Sequence, residues 1–565
     1  FLDYKFINEN YNIFYEGRFQ STYNWIYIMG LTFCGAMIYM NLILVLNVPD
    51  HWCHVPGMDK TNFTVEEWRA ITLPKERDNR GEVKFSSCKM YNTNFSEIQH
   101  WDYETWNFSM FGTKDCVHGY DYDRRWYEAT VITQEDWVCE KALYETNVFV
   151  VSRVTEVLGT FVFGWLGDTY GRRVAYFSSV ILVLMGRVLS IFTTSNFLWF
   201  IVAISIAAFP ISSFFMAAVV IAMEISRDDD RTKISMIQNL GWSAGTCLIP
   251  LVYWGLRDWY PFMWFTTLPA LIIFIFHKYM IESPRWLISQ KRFAEAIVQF
   301  KKIAKINRRS FDMNEKELAD MYSNVKQDKT YGIMSLFSAR RLACNTLIMG
   351  FSWCVVAVSY FTLYLFSARM GGNPFLNFLL QSLVEVPSYF VGKYLGDTIG
   401  RRLTSSSSFL LSGVVCIPIL FIAPHLEYET AVVVLATFIK FLNGVTFFVV
   451  NLQAMELYPT CLRQTGISIG SILANAVGVL APYFVYLGVS YDIRYPYYIL
   501  TAMFVLGGIT SLFVPETLHQ KLPDSMQDAL IFGRDQKFWS LPKSPQRKET
   551  NDGDEIEKNL ATKFP

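Results

Sequence analysis

The sequence predicts an all-α polytopic membrane protein: twelve spanning helices in two pseudo-symmetric six-helix bundles, with a large polar loop after the first helix. Three observations carry this expectation. The 565 residues are 52% hydrophobic and 18% charged, and the apolar residues gather in blocks of about 20, the length that crosses a ~30 Å hydrocarbon core at 1.5 Å per residue. One polar, cysteine-bearing segment interrupts these blocks early in the chain. A set of polar motifs then recurs, in the same order, in both halves. A soluble chain of this length usually divides into several domains and carries more charge.

The elements follow in order. Residues 1–22 form a cytosolic lead and 23–47 the first span, followed by the polar loop 48–143. Spans near 145–166, 174–194, 197–222, 234–255 and 261–281 complete the first bundle, 144–281. A basic, helical loop, 282–342, joins it to a second bundle, 343–515. That bundle holds spans near 343–367, 374–395, 403–423, 430–450, 464–487 and 496–514. The tail, 516–565, is polar and reads as disordered from Leu518 onward. The chain opens on Phe1, so a preceding segment is expected, and no stretch has the layout of a secretory signal. The formal net charge is zero, so no global field points toward nucleic acid or an anionic surface.

Sidedness rests on three signals. The N-x-[ST] sequons, at Asn62, Asn94 and Asn107, all fall in the 48–143 loop. Glycosylation requires exposure in the secretory lumen, so this loop is expected outside. The loop also holds Cys53, Cys88, Cys116 and Cys139, an even number suited to two disulfides in an oxidising space, with three pairings open. Free or metal-binding thiols are the alternative, but zinc-type spacing is absent and no metal is expected. His51 and His54 read as loop residues, and Cys34, Cys247 and Cys354 as small packing residues in or beside spans. The run "SQKRFAEAIVQFKKIAKINRR" within 282–342 is basic, as a cytosolic loop should be. An even number of spans then places both termini in the cytosol.

The repeat is specific. "VTEVLGTFVFGWLGDTYGRR" aligns with "LVEVPSYFVGKYLGDTIGRR", pairing Glu156 with Glu385, Asp168 with Asp397, Arg172 with Arg401 and Arg173 with Arg402. "MEISRDDDRTK" aligns with "MELYPTCLRQT", pairing Glu224 with Glu456 and Arg231 with Arg463, and "ESPRW" with "PETLH", pairing Glu282 with Glu516. Arg285 adds a cation to the first set. Three motifs in one order describe two parallel repeats, the construction that lets two bundles rock around a central site. Charge pairs at the cytosolic ends, made when that side closes and broken when it opens, would set the balance of states. Simple anchoring of span ends is the alternative for any single arginine.

These motifs resemble the major facilitator superfamily. "PDHWCHVP" at 49–56, "WVCEKALYE" at 137–145, "ESPRWLISQKRFAEA" at 282–296, "LVEVP" at 383–387 and "ELYPTCLRQTG" at 456–466 narrow the resemblance. They are similar to solute carrier family 22, the organic cation, zwitterion and anion transporters, from about Gly17 to Pro523. The resemblance implies the major facilitator fold, a plasma-membrane location and a pocket between the halves. It also implies a small organic ion as the transported partner.

It further implies site residues. Glu385, inside the eighth span, resembles a glutamate that faces substrate in the cation branch; an internal ion pair is the other reading, and its counterpart Glu156 favours a structural role. Tyr360 matches an aromatic pocket position, with Tyr364 one turn later on the same face. Phe215 matches another and Gln238 a polar one, although span aromatics more often only pack. Asn475 stands where cation transporters of the family carry aspartate and anion transporters arginine. Lys440 matches a recurrent basic position. Glu385, Lys440 and a neutral Asn475 together suit a zwitterion, or a monovalent cation with Lys440 tied up elsewhere.

The leading expectation is therefore a carrier of small organic cations or zwitterions. Organic anion exchange, sugar transport and a non-transporting receptor are the rivals. No GxxxxGK[ST], H-E-x-x-H or G-x-S-x-G motif is present, so neither ATP-driven pumping, an enzyme, nor a cofactor is expected.

Overall fold

The computed structural model describes residues 17–536, apart from 59–62, 79, 94, 96–109, 227–230, 312, 324–332, 460–461, 521–522, 524–525 and 535. Asn62, Asn94, Asn107 and most of the polar tail lie outside the described residues.

All twelve expected spans fall on helices. They are α1 (Arg18–Val45), α2 (Leu143–Tyr170), α3 (Arg172–Phe192), α4 (Phe197–Glu224), α5 (Arg231–Leu256) and α6 (Trp259–Ile275) in the first half. The second half holds α7 (Arg340–Ser367), α8 (Pro374–Leu383 continuing as Glu385–Ile399) and α9 (Arg401–Ile422). It ends with α10 (Glu429–Leu457), α11 (Arg463–Gly478 continuing as Ala481–Ser490) and α12 (Tyr495–Ser511). Among the described residues, eight of the helical stretches are long and apolar enough to cross a membrane as single runs. The others depart for visible reasons. Helix α5 carries Gln238, Asn239, Ser243 and Thr246 among its apolar residues, while α6 and α12 are short.

Proline writes the breaks. It lacks the N–H that would bond four residues back, and its ring crowds that carbonyl. Pro387 thus releases Leu383, and α8 steps at Val384, one residue before Glu385. Pro482 does the same at the α11 step, and Pro210 at the 209–210 step within α4. The first helix begins at Arg18, inside the lead expected at 1–22, because Phe19, Gln20 and Tyr23 are buried as part of the bundle.

The 48–142 segment is a small domain with its own core of Val55, Trp68, Ile71, Leu73 and Met90. Three antiparallel ribbons build it: β1 (His51–Cys53) with β6 (Tyr120–Tyr122), β2 (Lys75–Arg77) with β3 (Val83–Phe85), and β4 (Lys89–Tyr91) with β5 (Thr113–Asp115). Of the three open pairings, the disulfides are Cys53–Cys116 and Cys88–Cys139. His51 lies 3.9 Å from the Cys139 sulfur, but both sulfurs of that bridge are committed, which leaves no metal-binding thiolate.

On the opposite face, the linker helix Phe293–Ile306 turns Ala296, Ile297, Phe300 and Ile303 inward against the first half. Asn307 ties it to α1, accepting from the Phe19 amide at 2.8 Å and donating to Gln20 at 2.9 Å.

Candidate functional site

Two clusters of polar side chains are repeated in the halves. At the face opposite the loop domain, α2 turns into α3 through Gly171, and α8 into α9 through Gly400, at φ of 109° and 103°. Only glycine adopts that backbone readily. A Cβ at either position would also strike the carboxylate of Glu282 or Glu516. Those carboxylates cap the following helices: Glu282 accepts from the amides of Arg172 at 2.9 Å and Arg173 at 3.1 Å, Glu516 from those of Arg401 at 2.8 Å and Arg402 at 3.1 Å. Burial pushes the Glu282 carboxyl above its usual range, against the pull of the Ser283, Arg173 and Arg172 amides.

The guanidinium groups complete each cage. Arg172 donates to the Gly167 carbonyl at 2.7 Å and pairs with Asp168 at 3.0 Å; Arg401 donates to Gly396 at 2.8 Å and pairs with Asp397 at 3.1 Å. The copies differ in grip. Arg401 binds both oxygens of Glu456 at 3.1 Å, whereas Arg172 reaches Glu224 once, at 3.9 Å. Arg463 opens α11 and Arg285 lies on the short helix Pro284–Ser289. Arg231 opens α5, and its side chain is outside the described residues. Among the described residues, each of these charge contacts stays within its own half.

The second cluster lies mid-bundle. Glu385 is 1% exposed; its carboxylate is 3.1 Å from the Lys440 ammonium, accepts from the Tyr364 hydroxyl at 2.8 Å and faces Ser243 at 3.4 Å. Lys440 lies 3.1 Å from the Tyr360 ring centroid and 3.8 Å from that of Tyr364, within the range where an aromatic face attracts a cation. Trp242 donates to the Tyr360 hydroxyl at 2.7 Å. Gln381, one turn before Glu385, is wholly buried with neither amide atom hydrogen-bonded.

In the first half, Glu156 pairs with Arg153 at 3.1 Å and accepts from Tyr39 at 3.0 Å, and Arg153 also donates to Tyr39. The Arg153 guanidinium lies 3.5 Å from the Phe361 centroid, across the boundary between halves. Rings connect the two ion pairs: Phe215 meets Tyr39 and Trp242, and Phe361 meets Tyr39 and Tyr360, all between 5.3 and 6.3 Å.

The structure thus brings together Glu385, Lys440, Tyr360, Tyr364 and Phe215. Gln238 and Asn475 are half-buried on α5 and α11 without a hydrogen bond to this cluster. Sequence reasoning passed over Arg153, Tyr39, Trp242, Phe361, Gln381 and Arg187. The arginines carried a signal, since each is a charge inside an apolar span; the rings carried none, because aromatic residues are common throughout.

Toward the loop domain the halves touch. Phe375 of α8 packs on Tyr127, Tyr253 and Trp254 at 5.1–6.3 Å, and Arg369, just after α7, pairs with Glu145 of α2. Cavities between the halves are small, about 110 Å³ beside His51, Glu145 and Arg369 and about 40 Å³ beside Arg153 and Glu156. A site holding a whole organic ligand usually needs ~300 Å³ or more, so neither cavity takes a whole solute, and the halves are closed on the side of the loop domain.

A family model described as sugar (and other) transporter matches residues 98–528. The carcinine transporter of Drosophila melanogaster is 27% identical over 91% of this chain and 77% of its own length. The human organic cation/carnitine transporter 2 is 31% identical over 87% and 88%, and mouse solute carrier family 22 member 4 is 30% identical over 86% and 88%. Among solved structures, a partially occluded inward-open xylose transporter from E. coli superposes with a TM-score of 0.55 at 13% identity, covering 89% of this chain and all of that one.

Proposed function

The chain belongs to solute carrier family 22, within the sugar (and other) transporter family and the major facilitator fold, and from that premise we propose that it carries small organic cations or zwitterions across the plasma membrane by alternating access. One observation carries the substrate class. Lys440 is an ammonium held between two tyrosine faces and the buried carboxylate of Glu385. These groups form a receptor for an ammonium, and the protein's own lysine occupies it in the closed state. A substrate amine or quaternary ammonium competes for the same faces, worth ~2 kcal/mol when desolvated, and for the same counter-charge. The relatives named for carcinine and for organic cations and carnitine support this reading.

The loop domain, with its disulfides and sequons, is extracellular, and both termini are cytosolic. In that orientation the extracellular side is closed by Phe375 and the Glu145–Arg369 pair, and the repeated cages of Arg172 and Arg401 lie at the cytosolic ends. The cages act as fixed corners around which each half moves as a body.

The test is uptake of a labelled quaternary ammonium in voltage-clamped cells, for the native chain and for Glu385→Gln. Uptake that grows with inside-negative potential and fails in the variant supports the reading. Absence of uptake of both cations and zwitterions, from protein shown to be at the surface, sinks it.

A further inference from the structure

Among the described residues, one buried charge in the bundle has no counter-ion. Arg187 sits in the last third of α3, which ends at Phe192; it is 5% exposed, and its Nε and Nη1 atoms have no hydrogen-bond partner. The other buried mid-bundle charges are balanced: Arg153 with Glu156, and Lys440 with Glu385. Among the described residues, Arg187 therefore adds one unopposed positive charge to the core. Leaving such a charge buried and unpaired is strongly unfavourable, and an ionisable group at membrane depth marks a ligand path more often than a packing choice.

Its position fits a ligand. Arg187 lines the cavity of about 40 Å³ between the halves, together with Tyr39, Arg153, Glu156 and Phe361. That volume holds a carboxylate-sized group or a few waters, but not a whole solute. The wall is built for close approach: Gly186 lets α3 contact α4 at Ala203 and Ala207, where a Cβ would collide with backbone. Two of the lining residues, Tyr39 and Phe361, also belong to the ring cluster that leads to Tyr360 and Lys440. An anion at Arg187 and an ammonium at the tyrosine faces would thus be joined by a short aromatic path.

We infer that Arg187 is the receptor for the carboxylate of a zwitterionic substrate. This rests on the transport reading above and assigns the two ends of the solute to different halves: ammonium to α7, α8 and α10, carboxylate to α3. A guanidinium binds a carboxylate through two parallel, charge-assisted hydrogen bonds, which a lysine ammonium replaces only in part. The same chemistry is offered by an inorganic anion such as chloride, and the test separates the two.

The experiment compares uptake of labelled carnitine, which carries both charges, with labelled choline, which lacks the carboxylate. It uses the full chain, Arg187→Gln and Arg187→Lys, with surface expression measured for each. The expected result is a tenfold or greater rise in the KM for carnitine in Arg187→Gln, choline uptake within twofold of the native chain, and partial recovery of carnitine uptake in Arg187→Lys. Equal loss of both solutes, or no loss of either, overturns the inference. Carnitine uptake by the native chain that fails when gluconate replaces chloride, with that dependence absent in Arg187→Gln, assigns the site to chloride and also overturns it. A native chain that moves neither solute removes the transport reading instead. The anion site is then judged on purified protein: acetate raises the melting temperature of the native chain and not of Arg187→Gln if the inference holds, and of both or neither if it does not.

Discussion

Replacing Glu145 by Gln should loosen the closed side that faces the loop domain, extracellular in the proposed orientation. The residue pairs with Arg369 across the two halves, and the two side chains are 16% and 13% exposed. An exposed pair contributes ~0–1 kcal/mol and a buried pair deprived of one partner loses ~3–5 kcal/mol. This pair lies between those limits, so a loss of about 2 kcal/mol is expected. At 1.4 kcal/mol per factor of ten, that moves the closed-to-open ratio about 30-fold toward opening. Cys247 reports the change. It is one turn beyond Ser243, which faces Glu385, and it is half-buried in the closed state. An impermeant thiol reagent added outside should label Cys247 about 10–30 times faster in Glu145→Gln, with Cys247→Ser as the blank. The exchanged pair, Glu145→Arg with Arg369→Glu, should return the rate toward that of the native chain. Equal labelling rates in the native chain and Glu145→Gln would refute the assignment of this pair to closure and leave the Phe375 contacts as the whole of it.

Acid should act on the same side. His51 lines the neighbouring cavity, and burial holds its imidazole below the usual 6.5, with Arg369 pressing the same way and the Pro49 carbonyl, Asp50 and Asp136 opposing. A histidine with a lowered folded pKa is neutral in the closed state, so closure is fully stable above 6.5 and weakens as pH falls from there toward the lowered value. Labelling of Cys247, taken at each pH relative to a free thiol so that the falling thiolate fraction cancels, should therefore speed up between pH 7 and pH 5.5, and His51→Gln should flatten that dependence. Gly400→Ala forces a Cβ against the Glu516 carboxylate at a φ of 103°, and should cost roughly 3 kcal/mol, read as a lower melting temperature of purified protein; an unchanged value would remove the strain argument. Cys88→Ser opens the bridge to Cys139, which spans 51 residues, and should cost the loop domain about 2–5 kcal/mol, read as faster limited proteolysis within 48–142.

The architecture was legible because two periodicities are written plainly in the chain: apolar runs of membrane length, and polar motifs repeated 229–234 positions apart. The cages followed from the second. What those motifs do not specify is which atoms meet. Glu282 looked like a partner for arginine side chains, and it caps backbone amides instead, because the glycine turn aims two N–H groups at it. In the centre, Glu385 and Lys440 stood out as charges within spans, yet their mutual pairing depends on how α8 and α10 pack, 55 residues apart. Tyr39, Trp242 and Phe361 were invisible for a different reason. In a chain with 16% aromatic residues, no single ring distinguishes itself until three helices place it beside a charge.

The duplicated and unduplicated features divide by task. Both halves keep the same cage, because two bodies that rock against each other need equivalent rigid corners at the point where helices turn. Glu156 and Glu385 are also duplicated, yet their cations are not: Arg153 comes from the turn before Glu156 on the same helix, while Lys440 comes from α10, on another helix. An i, i+3 pair on one helix stays together whatever its neighbours do. A pair between helices separates when the helices shift or when a competing ion enters. The first half therefore holds a permanent pair and the second a replaceable one, which gives a near-symmetric scaffold a polar axis. On the proposed reading, a solute with a positive end is drawn toward Glu385, and the unmatched Arg187 on α3 supplies the opposite pole. If Arg153 and Glu156 form the fixed pair, neutralising both together in Arg153→Met with Glu156→Gln should leave the charge preference between choline and carnitine unchanged while altering stability. A switch in preference comparable to that of Arg187→Gln would place the selective pole on Arg153 instead.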